Sequence, residues 1–233
     1  MKKGSCLVLL SGGQDSTTSL YWARENFTSV SAINIIYGQR HLIEVKCADK
    51  IADLAGVSVK HQITTDIFQN IGDSALLSSS GDINSHHRGS DKLPASFVPA
   101  RNILFLTIAA AVAFKTGIAD IVTGVCQTDF SGYPDCRDNT IKSLQVTLSL
   151  AMDYPFIIHT PLMWLTKAES VKLAKSLPGC MDALVYSHTC YEGLYPPCGK
   201  CPACILRQKG FQEANTPDPI YLRSIFDPVN CEG

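Results

Sequence analysis

Leu10-Ser11-Gly12-Gly13-Gln14-Asp15-Ser16-Thr17-Thr18 follows an apolar run, Cys6-Leu7-Val8-Leu9-Leu10, that has the length of one buried strand. Behind it the pattern turns helical, with Leu20, Trp22 and Ala23 apolar and Arg24, Glu25 and Asn26 polar. Strand, glycine-rich turn and helix in that order aim free backbone N–H groups and the positive end of a helix dipole at one point, which suits a phosphate. The two glycines admit an anion close to the backbone, and the hydroxyls of Ser11, Ser16 and Thr17 add neutral donors. No lysine stands in the loop, so the Walker pattern is absent, as is G-x-G-x-x-G. Asp15 is the unusual member. A carboxylate beside phosphates repels them unless a cation such as Mg²⁺ lies between. The competing reading is a tight turn with a helix-capping Ser or Asp.

Outward from this stretch, the chain keeps alternating. Residues 30–37 form a β-branched apolar run, the second strand. Helical periodicity follows through Val45, Ala48, Ile51, Ala52, Leu54 and Ala55, with Gly56 placed as a C-cap. Residues 57–67 supply a third strand, 120–125 a fourth and 156–162 a fifth. Between them, residues 103–114 read as a buried helix and 139–152 as another. Thr166-Lys167-Ala168-Glu169 is a capping box that opens a further helix, ending near Pro178-Gly179. This rhythm specifies a doubly wound, Rossmann-like parallel sheet of five strands with right-handed crossovers. Ligands of such sheets lie beyond the carboxyl ends of the strands. Both the glycine turn and Tyr37-Gly38-Gln39-Arg40 fall there, and so does the polar loop 126–137. Residues 78–93 break the rhythm; they are polar, long for a loop, and suggest a substrate lid. His86 and His87 within them read as solvated side chains rather than ligands.

Composition limits the alternatives. The 233 residues are 45% hydrophobic and 18% charged, with a formal charge of −1. That is enough to bury a full core, and it gives no global pull toward nucleic acid or an anionic membrane. The apolar run after Met1-Lys2-Lys3 is too short for a secretory signal, and no stretch reaches transmembrane length. A cytoplasmic protein with no membrane partner and no direct nucleic-acid partner is the expectation.

Four of the ten cysteines crowd together. Cys190, Cys198, Cys201 and Cys204 have the spacing C-x₇-C-x₂-C-x₂-C, a metal pattern in a chain of this kind. Four thiolates close a tetrahedral structural Zn²⁺ site. An iron–sulfur cluster and free thiols are the rivals, and His188 could replace one cysteine. The other six behave as small hydrophobes, with a nucleophile at Cys126 or Cys136 as a minor alternative. The expected division is a phosphate-binding α/β domain over residues 1–180 and a zinc-binding helical region over 181–233.

The SGGQDS stretch resembles the SGGxDS motif of the pyrophosphatase-loop enzymes, which cleave ATP to AMP and pyrophosphate and transfer adenylate. Together with FVPARN, TGVCQTDFSGYPDCR, PLMWLTKAE and the cysteine cluster, the chain from Cys6 to Cys204 resembles the 7-cyano-7-deazaguanine synthase family of the queuosine pathway. The resemblance implies an adenine nucleotide alpha hydrolase-like fold, one structural zinc, ATP with Mg²⁺, a homodimer, and conversion of 7-carboxy-7-deazaguanine and ammonia to a nitrile. It implies nucleotide contacts along Leu10, Ser11, Gly12, Gly13, Gln14, Asp15, Ser16, Thr17, Thr18, Ser19 and Leu20. Catalytic roles fall on Asp15, Ser16, Arg101 and Lys167. A deazaguanine presents two donors beside a carbonyl, so a buried carboxylate suits it. Asp129 and Asp135 are candidates, each equally able to cap a turn. Tyr133 would stack on the base or simply pack, as would Phe130. Arg101, Arg137 and Lys167 would hold carboxylate or phosphate, or form ordinary ion pairs. Ala100 stands where many relatives are expected to have glycine. Two other readings are a tRNA-thiolating enzyme, which would want a basic RNA face, and a non-enzymatic zinc module, which would leave SGGQDS unexplained.

Overall fold

The computed structural model describes residues 2–39, 42–68, 74, 77, 86–87, 90–128 and 133–230. Five strands form one sheet: β1 (Lys3–Leu9), β2 (Phe27–Ile36), β3 (Lys60–Thr64), β6 (Asp120–Val122) and β7 (Ile157–His159). Their order is β3-β2-β1-β6-β7, and every pairing is parallel. The chain therefore winds outward from β1 in one direction, then returns to start the other half at β6. The crevice between β1 and β6 is the topological switch point.

Helices cover both faces. On one lie α1 (Gln14–Asn26), α2 (Ile43–Leu54), α5 (Lys167–Ser176), α6 (Cys180–Leu184) and α7 (Pro202–Glu213). Their Leu20, Ala48, Ile51, Val171, Leu184 and Phe211 share one core with Cys6 and Val8 of β1. On the other lie α3 (Arg101–Thr116) and α4 (Asp138–Met152), which bury Leu106, Ala110, Ile141 and Leu148 against Leu7, Ile33 and Ile121. Alternate residues of β1 thus feed opposite cores, as a sheet buried on both faces requires.

The five strands and their order of appearance match the sequence reading; several boundaries do not. Helix α1 begins at Gln14, inside the motif, so the turn itself is only Ser11-Gly12-Gly13. Strand β6 stops at Val122 rather than continuing to 125, because α1 crosses its end. A Cβ at Gly124 would lie 2.8 Å from the Asp15 carbonyl carbon and 2.9 Å from Ser16 N. Strand β2 starts earlier than expected, at Phe27, which leaves α1 without an intervening loop. Strand β3 is shorter than 57–67, since Val57 is held by the end of α2 through its N–H to Ala52 O at 2.9 Å. The capping box is present, with Glu169 N donating to Thr166 Oγ1 and Thr166 N to Glu169 Oε2.

The stretch read as a long loop, 78–93, lies mostly outside the described residues. Its latter part contains a small antiparallel ladder, β4 (His86–His87) with β5 (Ser90–Pro94).

Candidate functional site

A cleft of about 310 Å³ opens at the carboxyl ends of β1, β2 and β6. Its floor is the glycine turn. Gly12 has φ +86°, and a Cβ there would come within 2.4 Å of Glu44 O, so α2 is docked directly on the turn. His188 N donates to Gly12 O at 2.8 Å, which ties the C-terminal region to the same point. No side chain caps α1, so its first-turn N–H groups stay available at the cleft floor. The Ser11 and Ser16 hydroxyls lie 3.0 Å apart, and Ser11 N donates to Ser16 Oγ.

Leu10, Ser11, Gly13, Gln14, Asp15 and Ser16 line this cleft. Gly12 shapes it from behind. Thr17, Thr18, Ser19 and Leu20 are fully buried in the body of α1, where the two threonine hydroxyls donate to Gly13 O and Gln14 O. The Thr17 hydroxyl is therefore spent on the helix backbone in this structure.

The lysine that the loop lacks arrives from far along the chain. Lys167, the first residue of α5, donates to both carboxylate oxygens of Asp15 at 3.0 and 2.8 Å. Its side chain is 10% exposed and that of Asp15 29%. Two opposite charges, partly screened from water, thus face one another beside the helix N-terminus. Helix α7 presses Lys167 into place: a Cβ at Gly210 would lie 2.4 Å from Lys167 Cγ.

On the opposite wall, Arg101 opens α3. Its guanidinium lies over the rings of Tyr37 and Tyr133, 6.0 and 5.7 Å from their centroids, and donates to Tyr37 Oη. Burial disfavours its charge, but the phenols of Tyr37, Tyr133 and Tyr191 and the carboxylate of Asp135 outweigh that penalty. Tyr133 faces the cleft and shares a hydrogen bond with Ser96 Oγ.

Asp135 is 5% exposed; one oxygen accepts from Asn102 N at 2.9 Å, capping α3, while the other has no partner among the described residues. Arg137 is exposed and precedes α4. Asp129 and Phe130 lie outside the described residues.

Cys126 and Cys136 are buried at the cleft wall, where Asn102 Nδ2 donates to Cys136 Sγ. Cys126 Sγ lies 3.2 Å from Leu165 O.

Sequence reasoning passed over Glu44 and Tyr191, both of which line the cleft. Glu44 was legible as the first turn of α2, whose N-terminus a parallel sheet places at the ligand edge. Tyr191 was reachable only through its neighbour Cys190.

The cysteine cluster closes beneath this wall. The sulfurs of Cys190, Cys198, Cys201 and Cys204 all lie within 4.8 Å of one another, and Cys198 and Cys204 are 3.9 Å apart. Tetrahedral thiolates on one zinc are about 3.8 Å apart, whereas a [4Fe–4S] cluster seats each thiolate on a separate iron and spreads them. Cys198 N and Cys201 N point at the sulfurs of Cys190 and Cys198 at 3.5 and 3.3 Å, the second-sphere support a ligating thiolate needs. His188 is not part of the group; its Nε2 faces Cys190 O at 3.0 Å.

Fold and site together define a parallel α/β protein with a phosphate-suited cleft at its switch point and a cluster of four cysteines spaced to hold a metal. Residues 5–215 match the family described as "Queuosine biosynthesis protein QueC". A 7-cyano-7-deazaguanine synthase of Chromobacterium violaceum is 54% identical over 93% of both chains, and one of Laribacter hongkongensis is 51% identical over 93% of this chain and 94% of its own. The chain belongs to this family, the ATP-dependent 7-cyano-7-deazaguanine synthases of queuosine biosynthesis. Among solved structures, a 4-thiouridine synthetase in complex with RNA and ATP superposes with a TM-score of 0.52 at 16% identity. The match covers 91% of this chain and 50% of that one, and shows a shared fold alone. Among the described residues, no helix is long and apolar enough to cross a membrane.

Proposed function

We propose that the β1/β6 cleft adenylates the carboxylate of 7-carboxy-7-deazaguanine, lets ammonia displace AMP to give the amide, and then activates the amide oxygen in the same way. Elimination of AMP leaves the nitrile. A carboxylate is a poor electrophile because its leaving group would be oxide; adenylation replaces that with AMP. The observation that carries this reading is the pairing of the SGGQDS turn with Lys167. An uncapped helix start and a largely buried ammonium converge where the pyrophosphate of ATP would lie.

Within it, Ser11, Gly13 and Ser16 cradle phosphate over the turn that Gly12 shapes, Lys167 neutralises it, and Asp15 orients Lys167. Asp15 is also the residue that would hold Mg²⁺, which supplies charge neutralisation between the phosphates. Arg101 faces the substrate carboxylate from a wall of tyrosines, and Tyr133 offers a ring to the base. The free oxygen of Asp135 would accept from the deazaguanine donors, and Asp129 and Arg137 are further candidates for holding that substrate. The four cysteines would hold one Zn²⁺ per chain, whose closed ligand set supplies stability rather than chemistry. Ammonia is taken from solution by a homodimeric enzyme. The test is product analysis against a panel of deazapurine acids. AMP and pyrophosphate should appear with the 7-carboxy-7-deazaguanine substrate and ammonia, without RNA. ADP and phosphate as products would overturn the scheme.

A further inference from the structure

Glu44 is the carboxylate that this scheme leaves unused. It lies in the first turn of α2, half-buried, and lines the cleft. Its carbonyl oxygen sits where a Cβ on Gly12 would lie, so this turn of α2 packs directly on the glycine turn. No hydrogen bond or ion pair reaches its side chain among the described residues. The charged and titratable groups around it are Arg101 from α3, Tyr37 after β2, Tyr191 beside the cysteine cluster, and Cys47 on its own helix. The Asp15–Lys167 pair faces the same cleft. Burial pushes the Glu44 carboxyl up to about 7, against the smaller pull of Arg101. A proton acceptor works best with its affinity near the operating pH.

The chemistry requires such a group. When ammonia adds to the adenylated acid, a C–N bond forms and the C–O bond breaks with its electron pair going to AMP. The added nitrogen must shed one proton. In the second half, the adenylated amide gives up both N–H protons as the third C–N bond forms and AMP again departs. We infer that Glu44 accepts these protons in turn and passes them to solvent. The inference rests on the adenylation scheme proposed above.

The two are separable by experiment. Acid-dependent exchange of pyrophosphate into ATP reports adenylation and involves no nitrogen. Conversion of the synthetic amide to nitrile uses no ammonia, so its pH profile is free of ammonium titration. In Glu44→Gln, exchange should stay within a few-fold of wild type while amide-to-nitrile turnover falls ~10²–10⁴-fold. The rise of that turnover with pH through about 7, set by Glu44 deprotonation, should vanish. Equal losses in exchange and turnover would make Glu44 a nucleotide-positioning residue and overturn the inference, as would unchanged turnover. If Glu44→Gln does not fold, the wild-type profiles decide. A rise through neutrality in amide turnover but not in exchange supports the base, and a flat turnover profile refutes it. Absence of exchange in the wild type would instead remove the adenylation scheme itself.

Discussion

Ala100 holds φ +58° and ψ 17° immediately before α3, in the left-handed region. A Cβ makes that conformation costly by about 1–2 kcal/mol, which gives a physical reason to expect glycine there. The residue is exposed, so its methyl contributes no packing to offset the strain. Glycine would relieve the strain but lose about 0.4–1 kcal/mol to the freer unfolded chain. Ala100→Gly should therefore raise stability by ~0.5 kcal/mol net, a Tm shift of about 1–2 °C at this chain length, with activity unchanged. A lower calorimetric Tm would mean that the backbone is held there by something other than local strain. Asp15 presents the reverse case, a residue whose charge matters more than its shape. Asp15→Asn preserves volume but leaves Lys167 without its carboxylate partner, and pyrophosphate release should fall by ~10² or more. Unchanged release would reduce Asp15 to a helix-start residue.

Helix α7 joins the cysteine cluster to the cleft at the level of elements. Cys201 is its N-cap and Pro202 its first residue, so the metal site and the helix share a terminus. Nine residues after Cys201, Gly210 meets Lys167 of α5 with no room for a side chain. Gly210→Ala must push α5 and α7 apart or displace Lys167, because the opposing atoms include Lys167 Cβ and backbone as well as Cγ. We expect a loss of ~1–3 kcal/mol from overpacking in chemical denaturation, together with weaker ATP use. Full stability and full activity would show that the two helices slide freely. Cys201→Ala should lose metal and solubility together, since binding and folding are one free energy at such a site; metal analysis of the soluble fraction checks this. These elements differ in how readable they were. The capping box at Thr166 and the cysteine spacing are local patterns, and both appear as read. Gly210 carries no local signal, because its constraint comes from a residue in another helix. The β6 boundary failed for the same reason, since only the crossing of α1 ends that strand.

For the molecule as a whole, the strand order was legible because alternating strands and helices leave few right-handed solutions. The glycine turn then had to fall at the switch point. Harder to see was that Lys167, Arg101, Tyr191 and Glu44, widely separated in sequence, would face that turn. Helix packing places them, and no spacing rule anticipates it. What the assembled cleft implies is economy of sites. The described residues include one SGGQDS turn and one such cleft, so both activations in the proposed scheme must use the same floor. The acid and the amide then compete for it, and each passage consumes one ATP. Synthetic amide should be converted to nitrile with half the AMP released per nitrile that the acid requires. It should also inhibit turnover of the acid competitively. Ratios measured by quantifying AMP and nitrile in the same reactions would test this directly. An amide that the enzyme cannot process, or equal AMP yields from acid and amide, would require a second activating site or a different activation for one of the two oxygens.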